Sequence, residues 1–221
     1  MNLKIINHST TISDSELIYC LHLLPTKYNI LDNKIFIFDS YFKYLLYSLR
    51  HFNLISFFGG FIDYILSLFS SSSELGFYYR ISKNIYMFED RIFKLLEKKL
   101  KTISSNENYN ELKPYITNDL LNSYKFMWSK YILLDCIIHE LTHAIQHVEK
   151  RLHSPIIYLS SKWDTINNEI EAVSMCIDVF NANQEYFLDI LKVTGIKVNH
   201  SLTPLNINYK LNIKIPESTK K

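Results

Sequence analysis

The chain has 221 residues, 48% of them hydrophobic, which is enough to bury a core and excludes an intrinsically disordered protein. Its formal net charge of +2 comes from charges of both signs and leaves no basic footprint, so we expect no nucleic-acid partner. The three cysteines lack redox or metal-knuckle spacing, so we predict free thiols and an intracellular, reducing compartment.

The first half of the chain is predicted to combine short strands with helices. Lys34–Phe38 is an apolar run with strand composition, and it leads into a helix that continues to Arg50. Residues 76–81 and 85–88 are predicted to form a hairpin. Residues 85–88 repeat the strand-then-helix pattern of Lys34–Phe38 about fifty positions later. Two copies do not establish a repeat architecture.

Residues 52–69 are the segment with the strongest membrane character. This apolar run is interrupted by small or polar residues that form a narrow stripe on one side of a helix: Asn53, Ser56, Gly60, Asp63 and Ser67. Such a stripe favours a buried helix of a soluble domain. A membrane-inserted or interfacial helix is the alternative, although Asp63 would be costly in lipid. Residues 2–15 are polar and predict no secretory signal.

The predicted internal boundary follows an amphipathic helix predicted at 91–103. Residues 104–109 are rich in asparagine and serine and mark a polar break. We therefore distinguish an N-terminal strand and helix region, 1–103, from a C-terminal region, 110–221, and expect both to form one compact domain.

The C-terminal region is predicted to contain two long helices and a strand. Asn118 or Asp119 caps the first helix, with or without a bend near Ser129. Residues 154–167 turn the chain back towards the second helix. Residues 207–215 alternate apolar and polar side chains and predict a half-buried strand.

The first long helix carries the sequence His139-Glu140-Leu141-Thr142-His143. The helical period of 3.6 residues puts His139 and His143 on one face, so that both imidazoles can reach one Zn²⁺. Glu140 lies beside them and can remove a proton from the metal's water. The pattern therefore predicts half of a catalytic zinc site.

The residues around this motif divide into two helix faces. The core face contains Leu134, Ile137, Ile138, Leu141, Ala144, Ile145 and Val148. The opposite face, predicted to open on a cleft, contains His139, His143, Gln146 and His147. Metzincins would continue with glycine at position 146 and histidine at position 149, so Gln146 and Glu149 exclude that class. Without the glycine, the helix is predicted to run on through Lys150 or Leu152.

The third metal ligand is predicted in the second long helix. In Asn168-Glu169-Ile170-Glu171-Ala172, Glu169 shares the inward face with Ala172, whose small side chain permits close helix packing. Glu171 lies on the solvated face, as a surface charge or as an acceptor for a ligand histidine. Glu169 is therefore the predicted ligand, and Asp164 is the alternative.

These paired motifs resemble those of the gluzincin metallopeptidases, in which His-Glu-x-x-His on one helix is followed by glutamate on a second. The amino-acid sequences of residues 139–144 and 169–172 are also similar to the paired motifs of the mitochondrial ATP-synthase-assembly metalloproteases. The resemblance covers residues 118–182 and implies a zincin-like α+β fold, mostly helical, with a small sheet beside the zinc helix. It implies a zinc metalloendopeptidase acting on a protein or peptide substrate.

Such sites usually have a further donor that stabilises the oxyanion. Tyr158, His153 and His200 are candidates, and the sequence does not choose among them. His147 lies one turn beyond His143, either near the ligands or at a solvated helix end.

Two other functions are compatible with the sequence. A catalytically silent zinc protein would use the same fold as a binding or regulatory module. A membrane-associated protein would use residues 52–69 as its anchor and have only a secondary metal site. Glu140 favours the peptidase, because a purely structural site needs no base. The sequence leaves the oligomeric state open.

Overall fold

Four short strands form one mixed sheet in the computed structural model, which describes residues 2–51, 75–105, 118–152 and 167–190. The strands are β1 (Lys4–Asn7), β2 (Lys34–Phe38), β3 (Gly76–Tyr79) and β4 (Asn84–Phe88), in the order β1-β2-β4-β3. β1, β2 and β4 are parallel, and β3 pairs antiparallel with β4. The predicted β2 strand and the β3–β4 hairpin are confirmed, whereas β1 was not predicted.

The two similar sequence segments are neighbouring strands. β2 and β4 pair in parallel register, with Ile35 opposite Ile85 and Phe38 opposite Phe88. Since successive strand residues point to opposite faces, the aliphatic residues of both strands lie on one face and the aromatic residues on the other. The repeated pattern thus corresponds to two strands that lie between the same two layers.

Six α-helices are described around the sheet. They are α1 (Asp14–His22), α2 (Tyr41–His51), α3 (Glu89–Ser105), α4 (Asn118–Val148), α5 (Asn167–Ala182) and α6 (Gln184–Ile190), with a 3₁₀ turn at Thr26–Ile30. Ser13 and Glu16 form a capping box that begins α1. The described residues therefore have the predicted mixture of helices and a small sheet, an α+β fold.

The two faces of the sheet are covered by different layers. α2 covers the aromatic face with Tyr41, Tyr44 and Leu45. The aliphatic face belongs to the main core, which includes buried residues of α1, α3, α4, α5 and α6. Leu17 and Ile92 from the region 1–103 lie in the same core as Leu141 and Cys176 from the region 110–221.

The 31-residue helix α4 is the central element of the main core. It continues without interruption past Ser129, whose hydroxyl donates to the Lys125 carbonyl oxygen at 2.7 Å. Helix α4 contacts β3 and β4 on one side and α5 on another. The layer of α5 explains why both faces of α4 are buried at its centre.

The end of α4 differs from the prediction. The helix stops at Val148, so the expectation that it runs through Lys150 or Leu152 is wrong. Lys150 has φ 57°, and the Lys150 and Arg151 amides donate to the carbonyl oxygens of His147 and Gln146. This is the hydrogen-bond pattern of a Schellman motif, in which glycine usually holds the left-handed position. Val148, predicted to be a core residue, is 49% exposed because the helix has reached its end.

Two predicted elements lie outside the described residues: the apolar segment 52–69 and the C-terminal strand 207–215. Within the described ranges, no helix is both long and apolar enough to cross a bilayer. Cys20, Cys136 and Cys176 are buried and unpaired, which confirms the prediction of free thiols.

Candidate metal centre

Helices α4 and α5 bring three potential ligand side chains together. The Nε2 atoms of His139 and His143 are 3.1 Å apart. Glu169 reaches both imidazoles, with Oε2 3.1 Å from His139 Nε2 and Oε1 3.3 Å from His143 Nε2. All three residues are buried. The structure therefore unites the three residues predicted to be ligands.

Local helix geometry explains this convergence. His139 and His143 are one turn apart on α4, and Glu169 lies in the first turn of α5. Ala172, one turn further along α5, is fully buried against the same interface. Its small side chain permits the close helix approach that Glu169 needs. As predicted, Glu169 points inward at 3% exposure and the side chain of Glu171 points outward at 33% exposure.

The spacing of the three side chains fits a metal ion. A tetrahedral ion with bonds of about 2.0–2.1 Å separates its ligand atoms by roughly 3.3 Å. The Nε2 atoms of the two histidines, 3.1 Å apart, are close to that value, and one ligand atom from each of the three residues lies within 4.8 Å of the other two. Two imidazoles and one carboxylate also leave one tetrahedral position for water or substrate. The group His139, His143 and Glu169 could therefore hold a metal ion.

Electrostatics also favour a cation at this position. Burial would raise the pKa of Glu169, but its hydrogen bonds to His139 and His143 outweigh burial and lower it to about 2. Burial would lower the pKa of His143, but the hydrogen bond to Glu169 and the charge of Glu140 raise it to about 9. Without a metal, a proton on His143 supplies the positive charge that the carboxylates require.

Glu140 occupies a different environment from the three ligand candidates. Along residues 131–146, all of which the structure describes, every side chain except that of Glu140 is buried. A carboxylate adjacent to His139 that retains access to solvent can exchange protons with water. The predicted base therefore lies on the accessible side of the triad.

A buried amide connects the triad to the end of α4. Gln146 is fully buried, and its Oε1 lies 2.8 Å from His143 Nδ1. Its Nε2 donates to the Asn168 carbonyl oxygen at 2.9 Å and to Glu171 Oε2 at 3.1 Å. Arg151 donates two hydrogen bonds to the Glu171 carboxylate. These bonds lower the pKa of Glu171 by more than its partial burial raises it.

Sequence reasoning missed the contact of Gln146 with His143 and the burial of Asp135. Gln146 was assigned to the histidine face but used only to exclude metzincins. Its position three residues after His143 is the signal that could have identified the contact. Asp135 lies one turn before His139 and is buried. Burial raises the pKa of Asp135 to about 7, partly opposed by the charge of His139.

Of the other residues predicted at the site, His147 lies within the described part of the chain. His147 is partly buried, and its Nδ1 lies 2.8 Å from the hydroxyl of Tyr78 on β3. Burial and the charges of Arg80 and Lys83 lower the pKa of His147. His147 thus faces the sheet edge. Four further candidates lie outside the described residues: His153, Tyr158, Asp164 and His200.

No protein-family model, curated protein or solved structure matches this chain significantly.

Proposed function

We propose that the protein is a zinc-dependent metallopeptidase with a zincin-like fold, acting on a protein or peptide substrate with Glu140 as general base. The main support for the proposal is a buried triad of His139, His143 and Glu169, whose ligand atoms lie within 4.8 Å of one another, next to a partly exposed Glu140. Two histidines and a carboxylate are a ligand set typical of catalytic zinc.

The position of the sheet supports the zincin-like assignment. Helix α4 packs against β3 and β4, and β3 is the antiparallel edge strand among the described strands. In zincin-like folds a sheet edge runs beside the catalytic cleft and can pair with an extended substrate. Tyr78 of β3 contacts His147 of α4, which lies one helical turn beyond His143.

The chemistry follows from the roles of the side chains. When bound, zinc lowers the pKa of water towards neutrality and polarises a substrate carbonyl. His139, His143 and Glu169 would hold the ion. Glu140 would accept a proton from the attacking water and pass it to the leaving amine.

Zinc stoichiometry is the first test. Elemental mass spectrometry of the purified protein should find one zinc per chain in the parent. Zinc should be lost or sharply weakened in His143→Ala and Glu169→Gln, and retained in Glu171→Gln, whose carboxylate contacts Gln146 and Arg151 rather than the triad. A folded parent that takes up no zinc would reject the proposal.

Peptide hydrolysis is the second test. Glu140→Gln should retain zinc and lose roughly 10²–10⁴-fold of peptidase activity on a peptide library, which is the usual contribution of a general base. Glu97→Gln is the matched control, because this exposed glutamate of α3 pairs with Lys125 far from the triad along the chain. Zinc binding without turnover would identify a silent zinc protein, and full activity of Glu140→Gln would exclude the proposed base.

A further inference from the structure

We infer that Gln146 is a positioning residue that fixes the proton of His143 on Nδ1 and joins this ligand to the first turn of α5. The inference rests on metal binding by the triad and extends it to a residue that contacts neither metal nor substrate. The evidence for this inference is the set of hydrogen-bond partners of the Gln146 side-chain amide.

The orientation of the amide follows from its partners. On one side Gln146 meets the Asn168 carbonyl oxygen at 2.9 Å and the Glu171 carboxylate at 3.1 Å. Both groups are acceptors when the carboxylate is ionised, so the NH₂ of Gln146 must face them. The opposite orientation would put three acceptor oxygens in contact inside the protein. Gln146 Oε1 is therefore the atom that faces His143.

This orientation determines the tautomer of His143. An amide oxygen can only accept, so His143 Nδ1, 2.8 Å away, must carry the proton. The lone pair of the neutral imidazole is then on Nε2, the atom that faces His139 and Glu169. Metal-binding histidines need this arrangement, in which the second nitrogen donates to a fixed acceptor.

The same residue links the two ligand helices. The backbone carbonyl of Gln146 accepts from the Arg151 and Leu152 amides and closes the end of α4. Asn168 donates to the Arg151 carbonyl oxygen at 3.2 Å, while its own carbonyl accepts from Gln146. Glu169 is the next residue after Asn168. Gln146 therefore helps to set the distance between the histidines and the third ligand.

The test measures zinc affinity by competition with a chelator. Gln146→Met keeps approximately the size of the side chain but removes both hydrogen-bond functions, and it should weaken zinc binding about 10–100-fold.

Thr142→Val is the matched control. Thr142 is as buried as Gln146 and lies on the same helix, but its hydroxyl contacts Tyr28 and the Ile138 carbonyl rather than a ligand imidazole. We expect Thr142→Val to lower stability while zinc affinity remains within about twofold of the parent. Equal losses of affinity in Thr142→Val and Gln146→Met would overturn the inference.

A spectroscopic readout separates positioning from general stability. In the zinc-loaded parent, the His143 Nδ1 proton should give a slowly exchanging NMR resonance, because it is buried and hydrogen-bonded. It should exchange faster in Gln146→Met, which has no acceptor for it. Parent-like zinc affinity and proton exchange in Gln146→Met would reject the positioning role alone, whereas absence of zinc from the parent would reject the metal site as well.

Discussion

Two buried glutamates occupy similar places in this protein and have different surroundings. Glu89 begins α3 and is 1% exposed, and Glu169 lies in the first turn of α5 and is 3% exposed. Both carboxylates are also near a helix N-terminus, which favours negative charge. Burial and helix position therefore do not distinguish them.

Their hydrogen-bond partners do distinguish them. Glu89 accepts from backbone amides and hydroxyls of Ser9, Thr10 and Thr11 at 2.5–3.2 Å. Those donors are neutral and permanent, so they satisfy the carboxylate without any cation. Glu169 instead faces imidazole nitrogens that offer protons or lone pairs, depending on their state. A buried carboxylate with titratable partners is the one suited to bind a metal.

Exchanging each carboxylate for an amide should give the largest effect at the triad. Glu169→Gln removes a charged ligand and should weaken zinc binding more than about 100-fold. We expect Glu89→Gln to leave zinc affinity unchanged. Chelator competition on both variants measures the difference, and comparable losses of affinity would show that the distinction between the two glutamates is wrong.

Glu89→Gln should have the larger effect on the metal-free protein. The new NH₂ group would face donors of residues 9–11, which should lower the free energy of unfolding by about 2–4 kcal/mol. The matched control is Glu97→Gln, an exposed position on the same helix, with an expected change below about 0.5 kcal/mol. Urea denaturation measures both, and a loss below 1 kcal/mol in Glu89→Gln would contradict the account.

The pH dependence of the metal-free protein should depend on the triad. The raised pKa of His143, about 9 against an ordinary 6.5, stabilises the fold below pH 6.5, and this contribution is lost as pH rises through 9. The lowered pKa of Glu169 stabilises above pH 4.5 and is lost as pH falls towards 2. Because the two shifts describe one coupled pair, they are counted once, at about 3 kcal/mol.

Denaturation at several pH values checks this expectation. Stability should decline between pH 6.5 and 9 in the parent, and the decline should be smaller in Glu169→Gln, which lacks the carboxylate that raises the pKa. Zinc should also reduce the decline, since the ion replaces the proton between the ligands. An identical alkaline decline in the parent and Glu169→Gln would assign it to other groups.

The two glutamates also show what the sequence could predict. Glu169 could be assigned because helical phase and the nearby alanine are local features, and His139 and His143 lie on one helix turn. The role of Glu89 could not, because its donors are about eighty residues away and in a polar stretch without periodicity. β1 was missed for the same reason, since its pairing with β2 rather than its own composition defines it.

The surroundings of the two faces of α4 were predicted less well than the positions of His139 and His143 on it. The histidine face was expected to open on a cleft, but α5 covers it and only Glu140 within 131–146 remains accessible. Periodicity identifies which residues share a face, and it contains no information about a second helix that packs on the polar face. The same limit explains why Gln146 was assigned to the correct face without its contact to His143.

A smaller change should test the neutral donors around Glu89. Thr11 is buried, and its hydroxyl and amide both donate to Glu89. Thr11→Val removes the hydroxyl at nearly constant volume and should lower stability by about 1–2 kcal/mol, with no change in zinc affinity. The loss should largely disappear when Glu89→Gln is already present, because the two residues share one interaction. Additive losses in a double-mutant cycle would mean that Thr11 acts elsewhere.

The smallest predicted effect concerns the end of α4, where a substitution should raise stability without changing zinc affinity. Lys150 holds φ 57°, which disfavours a side chain with a β-carbon and suits glycine. Lys150→Gly should therefore stabilise the protein by about 0.5–1 kcal/mol, partly offset by the greater freedom of glycine in the unfolded chain. Lys150→Ala is the control, because it removes the charge but keeps the β-carbon. If both variants were equally stabilised, the gain would come from loss of charge. If only Lys150→Gly gained stability while zinc affinity stayed constant, the terminus of α4 would contribute to folding independently of His139 and His143.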